Sequence, residues 1–222
     1  ESARDDGHGC ARQEASRAKA RDAGVIIDFA AENAENLSFG DGAFDYLLCK
    51  ESYHHFPKPY AALYEMIRVS RKAIILMEPH DPIAKMPLLL FFLNLTVSCP
   101  FLQRKVWKNR FSFEPVGNFV YKVSEREFEK FAAGLQLPAV AFKYINPNFY
   151  HKDNERKEAS LTVWPFLVMR LKKFVLDTLM RLKIIPGQVL SAIIFKELPN
   201  SEEQKRLKRA GYKIVLIPKN PY

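Results

Sequence analysis

The stretch FDYLLCKESYHHFPKPYAALYEMIRVSRKAIILM, residues 44–77, decides the fold. It opens on the apolar run 44–49, which has the length of a buried strand. A helix is predicted over 57–70, because prolines stand at its entrance and apolar residues recur behind them at helical spacing. Residues 73–77 are rich in isoleucine and predict a second strand. The helix face that we expect to be buried carries Tyr60, Leu63, Tyr64 and Ile67.

The same strand and helix rhythm continues on both sides of this stretch. Upstream, helix formers precede Gly24, and residues 25–29 predict a buried strand. Downstream, Ser124 and Glu127 have the spacing of a helix-capping box. The whole pattern predicts an α/β fold, with a doubly wound, mostly parallel, Rossmann-like sheet. The further predicted elements are helices 10–23, 124–133 and 201–210, and strands 139–145, 191–197 and 212–217.

Length and composition favour one globular domain over residues 1–222. The chain is 48% hydrophobic and 27% charged, which excludes a disordered chain. We expect helical insertions in this domain at about 81–123 and 146–188, where the strand and helix rhythm breaks. Three cysteines without a CxxC pair argue against a disulfide framework or a zinc ribbon. Together with a polar, charged start of the chain, they predict a cytoplasmic protein.

The positive charge is concentrated in the second half of the chain. The formal net charge is +9, but residues 1–100 carry a net −3 and residues 101–222 a net +12. Such asymmetry predicts an anionic partner for the second half, which is a substrate, a lipid surface or a nucleic acid. A basic surface that serves only solubility is the alternative interpretation.

Two blocks of sequence resemble the class I S-adenosylmethionine-dependent methyltransferases. The first is ENAENLSFGDGAFD, residues 32–45, in which a strand end is followed by a turn and by Phe-Asp at the next strand. The second is YHHF, residues 53–56, followed by EMIRV at 65–69. Residues 124–135 are similar to a later helix of that family. The resemblance implies methyl transfer from S-adenosylmethionine, and it is good over residues 25–80.

The chain departs from this family at three places. No G-x-G-x-G motif occurs, although in the family it lets the backbone approach the cofactor. Asn33 stands where the family usually has an acid, and Ser70-Arg71-Lys72 replaces a Gly-Gly turn. We therefore expect the domain to be N-terminally incomplete and the 222-residue chain alone to bind S-adenosylmethionine weakly. The competing function is a non-catalytic interaction module that keeps the methyltransferase shape.

The resemblance also implies which residues contact the cofactor. Asn33 and Ala34 would hold the adenine, since a side-chain amide oxygen can accept from its amino group. Lys50 would lie near the methionine end. The acid that binds the ribose stays unassigned, because only Glu1, Asp5 or Asp6 are available to supply it.

Three histidines are the candidate catalytic bases: His54, His55 and His80. A histidine titrates near neutral pH and can take a proton from an acceptor hydroxyl or amine. The alternative for the His54–His55 pair is packing at a helix start. Glu78 and Asp81 are further candidates beside the acceptor. A metal site made of Glu51, His54, His80 and Asp81 matches no standard ligand spacing, so no metal is expected.

The acceptor is predicted to be small or lipid-like, with an apolar portion. Residues 86–102 and 161–185 place apolar side chains next to Lys and Arg, and each stretch predicts a pocket wall, core or membrane-surface contact. Nucleic acid is the less favoured acceptor. Enzymes that methylate its amino groups usually carry Asn-Pro-Pro-Tyr where residues 49–52 read Cys-Lys-Glu-Ser. The oligomeric state is left open.

Overall fold

A five-stranded mixed sheet forms the centre of the computed structural model of this chain. The structure describes residues 14, 17–81, 91–92, 95–96, 99, 101, 119–149 and 159–219. The strands lie in the order β1-β2-β4-β3-β5. Their bounds are β1 Phe44–Lys50, β2 Ser70–Pro79, β3 Ala139–Ile145, β4 Val189–Phe195 and β5 Lys213–Leu216.

Four helices and two short 3-10 turns connect these strands. The turns are Tyr53–His55 and Pro147–Phe149. Residues 17–22 are also helical and end at Gly24, whose φ of 64° suits glycine, as the sequence predicts. The four helices are α1 Pro59–Val69, α2 Glu125–Gly134, α3 Trp164–Arg181 and α4 Ser201–Arg209.

The α/β class is confirmed, but the prediction of a mostly parallel sheet is wrong for the described strands. Only β1 and β2 pair in parallel, while β4 runs antiparallel to both β2 and β3, and β5 antiparallel to β3. The reason lies in the register, because Ile145 at the end of β3 pairs with Val189 at the start of β4. The chain that leaves the sheet after β3 returns at the same edge, so β4 must run in the opposite direction.

The predicted strand over residues 25–29 is also wrong. These residues form no strand, and Ile26 is 99% exposed. A β-branched run favours extended backbone, but a strand is stable only when a neighbour pairs with its N–H and C=O groups. No described strand lies beside residues 25–29, so the local preference is not realised.

Two apolar clusters cover the two faces of the sheet. The larger one joins Leu63 and Met66 of α1 and Phe128 of α2 to the sheet residues Val140 and Ile194. The smaller cluster lies on the opposite face, where Leu207 of α4 packs on it. Helices on both faces of one sheet agree with a doubly wound arrangement.

One helix buries a different face from the one predicted. Leu63 of α1 is buried, but Tyr60 and Tyr64 are exposed, and Met66 and Val69 are buried in their place. The tyrosine rings instead lie against Phe131 of α2, with centroids 6.3 and 5.1 Å away. The apolar and aromatic side chains of α1 therefore pack against the neighbouring helix α2 as well as against the sheet.

Candidate functional site

The carboxyl ends of β1 and β2 lie at one edge of the sheet, the position where open α/β folds bind ligands. Lys50, the last residue of β1, pairs with Met77, and its side chain is exposed. Glu51 follows with a φ of 50°, a left-handed conformation that residues with a Cβ rarely adopt. Its N–H donates to the Met77 carbonyl at 2.9 Å, so the chain turns sharply there.

The buried carboxylate of Glu78, near the end of β2, organises this edge. Its Oε1 accepts from the backbone N–H groups of Ser52 at 3.1 Å and Tyr53 at 3.0 Å. Its Oε2 lies 2.6 Å from Nδ1 of His54. One fully buried carboxylate thus fixes the 3-10 turn Tyr53–His55 through three donors, which is how proteins tolerate a buried acid.

The thiol of Cys49 completes the surroundings of Glu78. Sγ lies 3.6 Å from Oε1 of that carboxylate. Burial, followed by the repulsion from Glu78, raises the pKa of the Cys49 thiol to about 12. The thiol is therefore protonated at neutral pH and is not a nucleophile.

The three candidate histidines are each held by a neighbour at this edge. Nδ1 of His54 donates to Glu78, which leaves Nε2 as the nitrogen that can accept a proton when the ring is neutral. His55 stacks on it with ring centroids 3.9 Å apart. Nδ1 of His80 lies 3.0 Å from the Gly187 carbonyl, and its ring is 4.7 Å from Tyr144. His54 and His80 are both buried.

The turn 33–36 is attached to the start of α1. Oδ1 of Asn33 accepts from the Glu35 N–H at 3.0 Å, and the Asn33 carbonyl accepts from the Asn36 N–H at 2.9 Å. The Glu35 carboxylate accepts from the N–H of Lys58, the N-cap of α1, at 2.8 Å. Ala34 packs on the larger apolar cluster. Asn33 itself is exposed, and its amide oxygen keeps a second lone pair.

The pair Glu65–Arg68 holds the loop 37–41, a role that sequence reasoning missed. Arg68 donates to the carbonyls of Leu37 at 2.9 Å and Phe39 at 2.8 Å, and Nη1 donates to Asp41 at 2.9 Å. Its bonds to Glu65 are 2.9 and 2.7 Å long. These bonds lower the pKa of the Glu65 carboxyl and raise that of the Arg68 guanidinium. The signal was present in the i, i+3 spacing of the two charges.

A cleft of about 450 Å³ separates α1 from α2. Inside it, the Tyr60 hydroxyl donates to the Glu127 carboxylate at 3.0 Å. Burial raises the pKa of the Glu127 carboxyl above its ordinary value, and burial followed by the charge of Glu127 raises that of Tyr60. The sequence missed this contact, because it placed Tyr60 in the core and Glu127 in a capping box. The lining includes Tyr60, Tyr64, Ser124, Glu127, Lys130 and Phe131.

The structure therefore brings most of the predicted site residues to one edge. Asn33, Ala34, Lys50 and His54 lie around the ends of β1 and the start of α1, and His80 follows β2. The candidate ribose acids and the cysteine at position 10 lie outside the described residues. Within the described part of the chain, no group of three His, Cys, Asp or Glu side chains is arranged to hold a metal ion.

Residues 9–76 match the profile of a family described as a methyltransferase domain. The match contains the turn 33–36, β1 and the pair Glu65–Arg68. It confirms the resemblance drawn from residues 25–80 for that part of the chain, whose sequence is similar to a methyltransferase domain. A comparison with curated protein sequences finds no match.

Several solved structures are similar to the chain. The YcgJ protein from Bacillus subtilis is 18% identical over 84% of this chain and 78% of that chain, with a TM-score of 0.46. A SAM-dependent methyltransferase from Methanosarcina mazei is 14% identical over 79% and 69%, with a TM-score of 0.41. One from Archaeoglobus fulgidus is 15% identical over 77% and 68%, with a TM-score of 0.42. The similarity to a methyltransferase domain rests on residues 9–76, which are less than half of the chain.

Proposed function

Because residues 9–76 are a methyltransferase-domain segment, we propose that this chain transfers a methyl group from S-adenosylmethionine to a small or lipid-like acceptor. The reaction takes place at the shared carboxyl edge of β1 and β2. The observation that carries the proposal is the buried Glu78 carboxylate, which fixes the turn Tyr53–His55 at that edge. A turn that is held in one position can align two reactants beside it, and alignment is a large part of what a protein supplies to such a transfer.

The described residues suit the adenine side of the cofactor. S-adenosylmethionine brings a methyl group that its sulfonium already activates, so the chain has to bind, orient and exclude water. We assign the adenine amino group to the second lone pair of the Asn33 oxygen, and Ala34 to the contact beside it. Lys50, exposed at the last position of β1, is assigned to the methionine end. The network of Glu65 and Arg68 keeps the loop behind these residues in place.

Nε2 of His54 is the proton acceptor that we favour. Transfer to a hydroxyl or an amine releases a proton, which a nearby base must take. Glu78 holds the proton of His54 on Nδ1, so Nε2 is left to accept one. His55 and His80 are the remaining candidates. The Gly187 carbonyl orients Nδ1 of His80 in a similar way.

The acceptor that we propose has an apolar portion. Four large side chains in the segment after β2 are exposed rather than packed, which suits a surface that contacts an apolar molecule. The net +12 of the second half of the chain favours an acidic group on the same acceptor. The four exposed side chains are Phe91, Phe92, Leu95 and Phe101.

The alternative function is a non-catalytic interaction module associated with a membrane surface. The specific observation in its favour is helix α3, which buries none of its residues. The module would keep the sheet and the hydrogen bonds of Glu78 as a scaffold, and it would not transfer a methyl group.

Ligand-observed NMR titration with S-adenosylmethionine tests the cofactor assignment, because it detects weak binding as well as strong. Asn33→Ala is expected to weaken binding about five-fold, the equivalent of one hydrogen bond of about 1 kcal/mol. Asn36→Ala in the same turn is the matched control and should leave the affinity unchanged. Equal affinities for the three proteins would reduce Asn33 to a turn residue.

A transfer assay with radiolabelled S-adenosylmethionine tests the reaction itself. Acceptors with an apolar portion, with and without an acidic group, are compared with polar ones. His54→Gln is expected to lower the rate by about 100-fold, the usual contribution of a general base, without changing cofactor affinity. His55→Gln distinguishes the two rings, because a loss of rate in this variant instead would assign the base to His55. Cofactor binding without transfer to any acceptor would favour the non-catalytic module.

A further inference from the structure

Helix α3 presents a continuous apolar face to solvent. None of its 18 residues is buried. Trp164 is 73% exposed and Phe174 68% exposed, and both belong to a row that recurs every three or four residues. Met169 and Met180, which are half-buried, lie on the opposite face. The exposed row consists of Trp164, Leu167, Val168, Leu171, Phe174, Val175 and, just after the helix, Leu182.

Positive side chains border this row on both sides. At 100° per residue, Arg170 and Arg181 follow one side of the apolar row and Lys172 the other. Lys173 pairs with Asp177, the one acidic residue of the helix, and lies over the ring of Phe149. No ion pair involves the three bordering cations within the described part of the chain. A broad apolar face with cations on both sides is the pattern of a helix that lies in a membrane interface.

The length and charge of α3 set its orientation relative to a bilayer. No helix among the described residues is long and apolar enough to cross a membrane. An amphipathic helix of this kind binds along a membrane surface, with its apolar row in the boundary between head groups and acyl chains and its cations at the level of the phosphates. We propose that α3 binds the surface of an anionic lipid bilayer and that this contact goes beyond the methyl transfer proposed above.

Two other occupants fit the face less well. A second copy that packed its own α3 on this helix would bring two sets of bordering cations together, and like charges at an interface oppose association. Nucleic acid would satisfy the cations, but its phosphates give no partner to aliphatic side chains such as Leu171 and Val175. An anionic bilayer matches both the apolar row and its border.

Co-sedimentation with lipid vesicles tests the proposal on the full chain. The vesicles contain phosphatidylcholine alone or phosphatidylcholine with phosphatidylserine, at low and at high ionic strength. We expect binding to the anionic vesicles that weakens as salt screens the cations. The double variant Arg170→Gln with Lys172→Gln should bind about 25-fold more weakly, since each cation near such a surface contributes about five-fold.

A second variant tests the apolar row. Leu171→Glu with Phe174→Glu should lose at least about tenfold in binding, the equivalent of one large apolar side chain withdrawn from the acyl region. The matched controls lie outside α3, and both should bind like the unaltered chain. They are Leu198→Glu, which changes an exposed leucine, and Lys205→Gln with Lys208→Gln on α4. Circular dichroism shows whether each variant is folded.

Fluorescence gives a local readout. The chain has two tryptophans, so Trp107→Phe leaves Trp164 as the sole reporter. Its emission should shift to the blue with anionic vesicles. No binding to anionic vesicles, or binding that the α3 variants leave unchanged, would overturn the proposal. A dimer in light scattering that Leu171→Glu with Phe174→Glu dissociates, without vesicle binding, would assign the face to a second copy.

Discussion

Helices α2 and α3 are both amphipathic, yet only one of them covers its apolar face. In α2, Phe128 and Ala132 are completely buried, and the helix contacts β3 and β4. In α3 the equivalent face is exposed from Trp164 to Val175, and Phe149 is its neighbour on the other side. The spacing of apolar residues thus identifies a face, while the neighbouring elements decide whether it becomes core.

The strands show the same contrast. Ala192 and Ile194 of β4 have strands on both sides and are fully buried. Tyr46 and Leu48 of β1 are more than half exposed, although both side chains are large and apolar. Among the described strands, β1 pairs with β2 alone. The position of a strand within the sheet therefore influences the burial of its side chains more than its composition does.

Truncating one phenylalanine in each helix should give the largest difference between the two regions. Phe128→Ala in α2 is expected to lower the free energy of unfolding by about 3–5 kcal/mol, because it leaves a cavity in the main core. Phe174→Ala in α3 should change it by less than about 0.5 kcal/mol, since its side chain already contacts solvent. Urea unfolding of both variants measures the two values. Similar losses would mean that α3 is packed on the protein after all.

The polar counterpart of this test is Glu78. Glu78→Ala should lower the free energy of unfolding by about 3 kcal/mol, because it removes the acceptor of the Ser52 N–H and leaves the buried donors of Tyr53 and His54 unpaired. Glu78→Gln, which keeps an acceptor oxygen, should cost less. Glu197→Ala, which truncates an exposed side chain, is the control. If thermal unfolding did not distinguish Glu78→Ala from this control, the edge would not depend on the carboxylate.

A smaller effect is expected in the cleft, where a carboxylate is only half-buried. The folded state holds the proton of Glu127 to a higher pH than the unfolded state does, so the free energy of unfolding falls as pH rises through the raised pKa. Glu127→Gln should remove this slope and change the stability by no more than about 1 kcal/mol at neutral pH. Denaturation curves at several pH values between the ordinary pKa and neutrality measure it. If the free energy of unfolding of Glu127→Gln still falls with pH over this range, another ionisable group causes the slope.

The smallest test needs no substitution. Cys49 is buried with a thiol pKa of about 12, whereas Cys99 is partly exposed. Iodoacetamide at neutral pH should therefore label Cys99 in the folded protein and leave Cys49 unmodified until denaturant is added, because the thiolate is the reactive form. Peptide mass spectrometry gives the extent at each site. Equal labelling in the native state would show that the edge around Glu78 opens readily.

Local signals in the sequence identify many elements of this fold. Strand 139–145 was predicted with its observed bounds, and the Ser124 side chain accepts from the Glu127 N–H at 3.3 Å as a cap should. Such features depend on residues close in the chain. The candidate site is inferred in the same way, because strand ends in an α/β fold indicate where ligands bind, and it stays a prediction.

The remaining features depend on pairing between distant segments. Glu78 was a candidate beside the acceptor, but its role in fixing Tyr53 and His54 requires the register of β1 against β2. The antiparallel direction of β4 depends on where the chain returns after residue 145. Tyr60 faces Glu127 because α1 and α2 lie side by side, which no local pattern encodes.

The position of β4 affects how the protein is made. Strand β4 lies between β2 and β3 in space but follows both along the chain. When a nascent chain has reached β3, the two edges that β4 will join, one of β2 and one of β3, are therefore unpaired, and β4 emerges only after residues 146–188. Unpaired edges are the surfaces on which chains aggregate during synthesis. The speed of translation across 146–188 thus sets how long these two edges stay open to neighbouring chains.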